Sequence, residues 1–200
     1  MITNQGKLIV FEGISGTGKE TQAKLLKEYL NSKGIIAHIV YHPTPDLKNI
    51  LTSWRQTRKI GHITEIYLLL ADRSDRVRQV INPAREKGEW IISLRNSLSA
   101  LVYQAQNSRE RLWTAKQFAR FEPLPDHLFF FDIPPRYALV RIKARCTHTG
   151  EPLGKFETLA YLTQKSDAYR RVLKTTDHIS LDANRPIRSI HEVIVTAVRD

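Results

Sequence analysis

Short apolar runs alternate with stretches of helical periodicity along nearly the whole chain. Leu8–Glu12, Ile35–Tyr41, Trp90–Ile92, Leu128–Asp132 and Ile179–Asp182 read as five strands. Lys19–Lys33 places Ala23, Leu26, Tyr29 and Leu30 near one helical face, with Gly34 as its stop. His42-Pro43-Thr44-Pro45 interrupts the chain after the second strand, because two prolines fit neither a helix interior nor a central strand. Asp46 is the expected N-cap of the next helix, whose apolar face is Leu47, Ile50, Leu51 and Trp54. Ile63–Glu86 is a long helical region with Ile66, Leu69, Leu70, Val77, Val80 and Ile81 in register, and Pro83 is expected to end or kink it. Ser97–Asn107, Thr114–Phe121, Arg136–Arg145, Glu157–Lys174 and Ile187–Arg199 complete the helices. Cys146–Phe156, with Gly150, Pro152 and Gly154, reads as a loop. The alternation predicts an α/β fold with a mostly parallel five-stranded sheet flanked by helices. Ligands then belong at the carboxyl ends of the strands. No repeat or linker divides the chain, so residues 1–200 are expected to form a single domain.

Composition narrows this picture. Of 200 residues, 42% are apolar and 26% charged, which is the balance of a globular chain. The single cysteine, Cys146, permits no intrachain disulfide. Met1–Lys7 has no signal-peptide layout, and the apolar run that follows ends at Glu12, too short to span a membrane. A cytoplasmic protein without a membrane partner is expected. The net charge of +11 is dispersed, without a basic tail or an interleaved aromatic stripe. Nucleic acid is therefore not the expected partner; phosphorylated small molecules draw on the same charge. The seven histidines and Cys146 show no zinc-type spacing, and no structural metal is expected.

The chemistry begins at Gly13-Ile14-Ser15-Gly16-Thr17-Gly18-Lys19-Glu20, which follows the first strand and opens the first helix. It meets the phosphate-binding pattern G-x-x-x-x-G-K-[ST] everywhere but at the last position, where Glu20 replaces the hydroxyl. Glycines allow the backbone to wrap around phosphate oxygens, the helix start presents its positive end, and Lys19 adds a mobile cation. Gly13 through Thr21 is therefore the candidate ATP-binding segment, in a three-layer P-loop NTPase fold.

Several further motifs follow in order: Phe11-Glu12-Gly13, Pro43, Leu70-Ala71-Asp72-Arg73, Arg95…Ser99…Tyr103-Gln104, Pro125-Asp126…Phe131-Asp132-Ile133, and Arg141-Ile142-Lys143-Ala144-Arg145. Together with the glycine loop they resemble the thymidylate kinases, collinearly and over nearly all of the chain. The resemblance implies phosphoryl transfer from ATP to dTMP, with Mg²⁺ as cofactor, a short lid at about residues 141–157, and a homodimer. It implies catalytic roles for Lys19, Arg95, Arg141 and Arg145, with Arg170 or Arg171 assisting, and an acceptor site drawn from Pro43, Leu69, Arg73, Arg95, Ala100, Tyr103 and Gln104. For dimerisation the apolar faces at 66–80 and 98–102 are candidates, although a monomer core explains the same pattern.

The departures from the family concentrate at the metal and base positions. Glu20 stands where a metal-binding hydroxyl is usual, Leu94 where an aspartate is usual, and Ser15 where an acid is common. Tyr41-His42 precede Pro43 where the family has Arg-Glu, Asn96 replaces a tyrosine, and Leu69 replaces a phenylalanine that stacks on the base. Glu20 is an oxygen donor and is the candidate magnesium ligand, with Glu12, Asp72 and Asp132 as further acids whose positions sequence alone does not fix. The same residues also allow a related kinase with another acceptor and a nucleotide-binding protein without catalysis.

Overall fold

The computed structural model describes residues 5–199. Met1–Asn4, part of the segment read for targeting, lie outside the described residues. Five strands, β1 (Leu8–Glu12), β2 (Ala37–Tyr41), β3 (Trp90–Leu94), β4 (His127–Asp132) and β5 (Ile179–Asp182), form one sheet in the order β2-β3-β1-β4-β5. Every pairing is parallel. The central strand β1 is buried at all five positions, as a strand covered on both faces must be, whereas the edge strands β2 and β5 are only partly buried.

The helices are α1 (Lys19–Ser32), α2 (Pro45–Thr57), α3 (His62–Arg76), α4 (Asn82–Glu86), α5 (Ser97–Tyr103), α6 (Ser108–Phe118), α7 (Pro135–Thr149), α8 (Leu159–Leu173) and α9 (Ile187–Arg199). One apolar core joins the sheet to α1, α7, α8 and α9 through residues such as Phe11, Leu26, Ile142 and Ile194. A second, smaller cluster unites Leu47, Leu51, Leu69, Ala100 and Phe118 between α2, α3, α5 and α6. The faces considered for dimerisation enter these clusters through Leu69, Val77, Leu98 and Val102, and Ile66 is buried as well.

Four expectations are corrected. Thr44, not Asp46, caps α2, accepting from the Leu47 N–H, because Pro45 occupies the first helical position where its missing N–H costs nothing. Pro83 does not end its helix, the first of the two outcomes expected of it. A π-helical turn at Val77–Ile81 precedes it, with the Asn82 N–H bonded to the Val77 carbonyl, and α4 continues through Glu86. The wide turn relieves the clash that proline makes with a normal preceding turn. The reading of Ser97–Asn107 as one helix divides at Tyr103, and Asn107 instead caps α6 by accepting from Glu110 N–H. Finally, α7 runs on to Thr149, so the loop read from Cys146 begins at Gly150, whose left-handed backbone (φ 73°) terminates the helix.

Candidate active site

The carboxyl ends of the strands set Glu12, Tyr41, Leu94, Asp132 and Asp182 along one edge. At this edge β1 turns into α1 through the glycine loop. Gly13 has φ 140° and passes so close to β4 that a Cβ would lie 2.7 Å from the Phe131 carbonyl oxygen. Gly16 lies under α7, where a Cβ would meet the Ala138 carbonyl oxygen at 2.5 Å. Both positions therefore exclude a side chain. Ile14 and Thr17 are buried, Ser15 and Gly16 half-buried, and Gly18, Glu20 and Thr21 exposed at the start of α1.

Lys19 is only 9% exposed. Its Nζ donates to the Ile14 carbonyl at 2.6 Å and to Thr17 Oγ1 at 2.8 Å, so the ammonium is folded back into its own loop. Burial pushes its pKa well below the ordinary lysine value, the Arg95 charge lowers it further, and Glu12 and Glu20 oppose the shift. A buried cation with only neutral partners is poised to gain from an arriving polyanion.

Arg95 leaves β3 with a positive φ of 76°, a conformation that a non-glycine residue adopts only when its surroundings hold it there. Its N–H bonds to the Phe11 carbonyl, and its own carbonyl accepts from Ser93 Oγ at 2.7 Å. The guanidinium lies 5.0 Å from the centre of the Tyr103 ring. Nη1 donates to Ser99 Oγ at 3.0 Å and to Tyr169 Oη at 2.8 Å. Both hydroxyls also reach the buried Glu12 carboxylate. Burial would lower the Arg95 pKa, but Tyr103, Tyr169 and Glu12 outweigh it and hold it above its ordinary value. Burial, with Glu12 adding to it, pushes the Tyr169 phenol well up, so the phenol stays protonated.

Tyr103 joins Tyr161 and Tyr169 in an aromatic group, and Gln104 Nε2 donates to Glu65 Oε2 at 3.3 Å. Glu65 is held by a two-pronged contact from Arg55, whose guanidinium also lies over Phe156 of the 150–158 segment. Pro43 is half-buried at the end of β2. Leu69 and Ala100 are 3% and 1% exposed and belong to the second apolar cluster. Arg73 is fully buried. Its Nε donates to Glu122 Oε1 at 2.8 Å and its Nη1 to Ser93 Oγ at 3.1 Å. Of the two arginines expected in a lid, Arg141 donates to the Ala183 carbonyl and Arg145 pairs with Glu157 at 2.9 Å. Arg170 pairs with Asp132, and Arg171 is exposed on the same helix.

The acids considered for metal binding differ in availability. Glu12 is saturated with hydrogen bonds, Asp72 is held by Thr44 and lies near His42, and Asp132 faces Arg170. Leu94, at the position of the missing aspartate, is a core residue. Glu20 is exposed beside the loop and has no ion-pair partner among the described residues. Among the described residues no cluster of three or more His, Cys, Asp or Glu forms a ready metal cage. Magnesium keeps several waters and takes one or two carboxylates plus substrate phosphates, so among these acids the exposed Glu20 is the one whose chemistry fits it.

Sequence reasoning missed Tyr169, Ser93 and Glu122, and read Glu12 as a potential metal acid. One signal was available for Glu12: a carboxylate closing an otherwise apolar central strand must have strong partners. Tyr169 lies on the buried stripe Leu162, Ser166, Tyr169, Leu173 and is indistinguishable there from core packing.

A lysine opening a helix directly out of a glycine turn is an arrangement suited to phosphate, and Arg95 adds a second cation at the same sheet edge. The class is that of the P-loop nucleotide kinases. A thymidylate kinase profile matches residues 11–194. A thymidylate kinase of Xanthomonas campestris pv. campestris (strain B100) is 34% identical over 207 residues, covering 100% of this chain and 87% of the relative. One of Synechococcus sp. (strain CC9311) is 31% identical, with 96% and 95% covered, and a probable thymidylate kinase of Pyrococcus horikoshii is 32% identical, with 98% and 97% covered. The chain belongs to the thymidylate kinase family. Among the described residues no helix is long and apolar enough to cross a membrane.

Proposed function

We propose that the protein transfers the γ-phosphoryl group of ATP to the 5′-phosphate of dTMP, giving ADP and dTDP. A phosphate oxygen of dTMP forms the new bond to the γ-phosphorus as the bridging bond to ADP breaks. The observation that carries this reading is that Lys19, which opens α1 out of the loop after β1, and Arg95, which follows β3, stand at the carboxyl ends of two adjacent strands with neither in an ion pair among the described residues. Such an arrangement has a strong demand for anions, and phosphoryl transfer needs little from a protein beyond positioning and charge neutralisation.

In this reading the Lys19 ammonium leaves Ile14 and Thr17 for the β- and γ-phosphate oxygens, and the segment Gly13–Thr21 cradles the triphosphate. Arg95 holds the acceptor phosphate, Tyr103 packs under the deoxyribose, and Gln104 and Pro43 shape the remaining wall with Leu69 and Ala100 behind it. Arg73 reaches this site through Ser93, which bonds both the Arg73 guanidinium and the Arg95 carbonyl. Residues 141–157 act as the lid, bringing Arg141 and Arg145 over the phosphates and excluding water that would otherwise hydrolyse ATP. Glu20 would hold Mg²⁺, which neutralises charge on the bound phosphates. Reaction in the cytoplasm and assembly as a homodimer belong to the same reading, and sedimentation of the purified protein tests the latter.

A coupled ADP-release assay with dTMP tests the reading. Turnover that requires both dTMP and Mg²⁺ and is lost in Lys19→Ala is expected. Folded protein with no dTMP-dependent ADP release would overturn it, and a higher kcat/KM for another monophosphate would reassign the acceptor.

A further inference from the structure

The carboxyl ends of β1 and β3 enclose a polar cluster whose hydrogens can be assigned by counting. Glu12 and Tyr169 are fully buried and Ser99 is 6% exposed. An ionised carboxylate only accepts. Ser99 Oγ, 2.9 Å from Oε2 and 3.1 Å from Oε1, therefore gives its single proton to the Glu12 carboxylate, Tyr169 Oη gives its own to Oε2 at 2.7 Å, and the Asn96 N–H supplies Oε1 at 2.9 Å. This leaves the lone pairs of both hydroxyls for the two Arg95 Nη1 contacts. The 3.0 Å approach of Ser99 Oγ to Tyr169 Oη is then a contact between two acceptors of the same donor. The cluster reads cation, two neutral hydroxyls, anion.

The alternative arrangement is a direct ion pair in which Glu12 takes both prongs of the guanidinium fork. No such pair exists among the described residues, because the hydroxyls stand between the charges and both contacts use one nitrogen. The partners of the Arg95 side chain are thus the hydroxyls of Ser99, Tyr169 and Tyr103, and none of them is a carboxylate. We propose that Tyr169 and Ser99 are positioning residues for the acceptor: their hydroxyls keep Arg95 off Glu12, so that its fork remains available to the acceptor phosphate. The inference rests on the reading of Arg95 as the acceptor's phosphate ligand.

Tyr169→Phe is a conservative test, since it keeps the ring packed against Phe130 and Tyr103 and removes only the hydroxyl. KM for dTMP should rise about tenfold, the worth of one hydrogen bond to a charged group, with KM for ATP nearly unchanged. Ser99→Ala should shift the same constant in the same direction, and it carries the test if Tyr169→Phe does not fold. Equal changes in both KM values, or a lowered melting temperature with neither KM altered, would reduce the hydroxyls to core packing and overturn the proposal.

A second readout needs no turnover. In protein labelled with nitrogen-15 arginine, the Arg95 Nε–H resonance, assigned through Arg95→Lys, should exchange with water several-fold faster in Tyr169→Phe than in the unsubstituted protein. Unchanged exchange would also overturn the proposal. A protein that never phosphorylates dTMP but shows the exchange effect would refute the proposed function and leave the positioning of Arg95 intact.

Discussion

Arg73 and Glu122 form the most deeply buried ion pair described here, with side-chain exposures of 0% and 6% and a closest contact of 2.7 Å. Replacing Arg73 by leucine leaves the Glu122 carboxylate buried without its cation. Removing one partner of such a pair costs roughly 3–5 kcal/mol, because desolvation is no longer offset. That is a large share of the roughly 5–15 kcal/mol by which a domain is stable. At roughly 2–4 °C per kcal/mol for a chain of this size, Arg73→Leu should lower the melting temperature by about 6–20 °C. The double variant Arg73→Leu/Glu122→Leu, which removes both charges, should regain most of this loss, a coupling that chemical denaturation can quantify. Arg73→Leu also removes the donor to Ser93, which supports the strained Arg95 backbone, so KM for dTMP should rise in both variants. The reasoning fails if Arg73→Leu melts within about 2 °C of the parent, a loss below 1 kcal/mol, while KM for dTMP rises. That result would mean the guanidinium is free to contact the nucleotide directly.

Three further outcomes are expected. ATP should restore the Lys19 charge that burial and Arg95 suppress, so its binding in mildly alkaline buffer should take up protons, as measured by calorimetry in buffers of different ionisation enthalpy; proton release would contradict the account. Glu20→Gln should raise the Mg²⁺ concentration needed for half-maximal activity several-fold. An increase in activity at every Mg²⁺ level would show instead that Glu20 only repels the triphosphate. Burial first, with Tyr103 adding to it, pushes the Tyr161 phenol from its ordinary 10.0 up to about 12. A raised folded-state pKa gives stability that is full below the unfolded value and lost as pH rises through the folded one. Tyr161→Phe should accordingly lessen the fall in stability between pH 10.0 and about 12, seen by urea unfolding at each pH; an unchanged fall would place the loss elsewhere.

Much of the site was legible because its residues lie close together in the chain. A glycine turn, its lysine and the helix that follows are local, and hydrophobic period fixed the strand before them. Arg95 was legible from its place just beyond β3. The partners that give Arg95 its geometry were not, since Glu12 and Tyr169 lie 157 positions apart and meet only across the folded sheet. Leu69 and Ala100 show the same limit from the other side: their burial in one cluster with Phe118 depends on neighbours from four helices and not on their own segments.

The sequence by itself determined the order of strands and helices, the phosphate loop and the membership of its family, because each follows from residue type at short, periodic spacing. Even the replacement at Glu20 could be read there. Only the tertiary structure decided which charges are free. It buried Arg73 against Glu122, bound Glu12 to the hydroxyls of Ser99 and Tyr169, and left Glu20 exposed at the start of α1. The physical reason is that a charge is defined by its neighbours and its access to water, and both are set by contacts between segments remote in sequence.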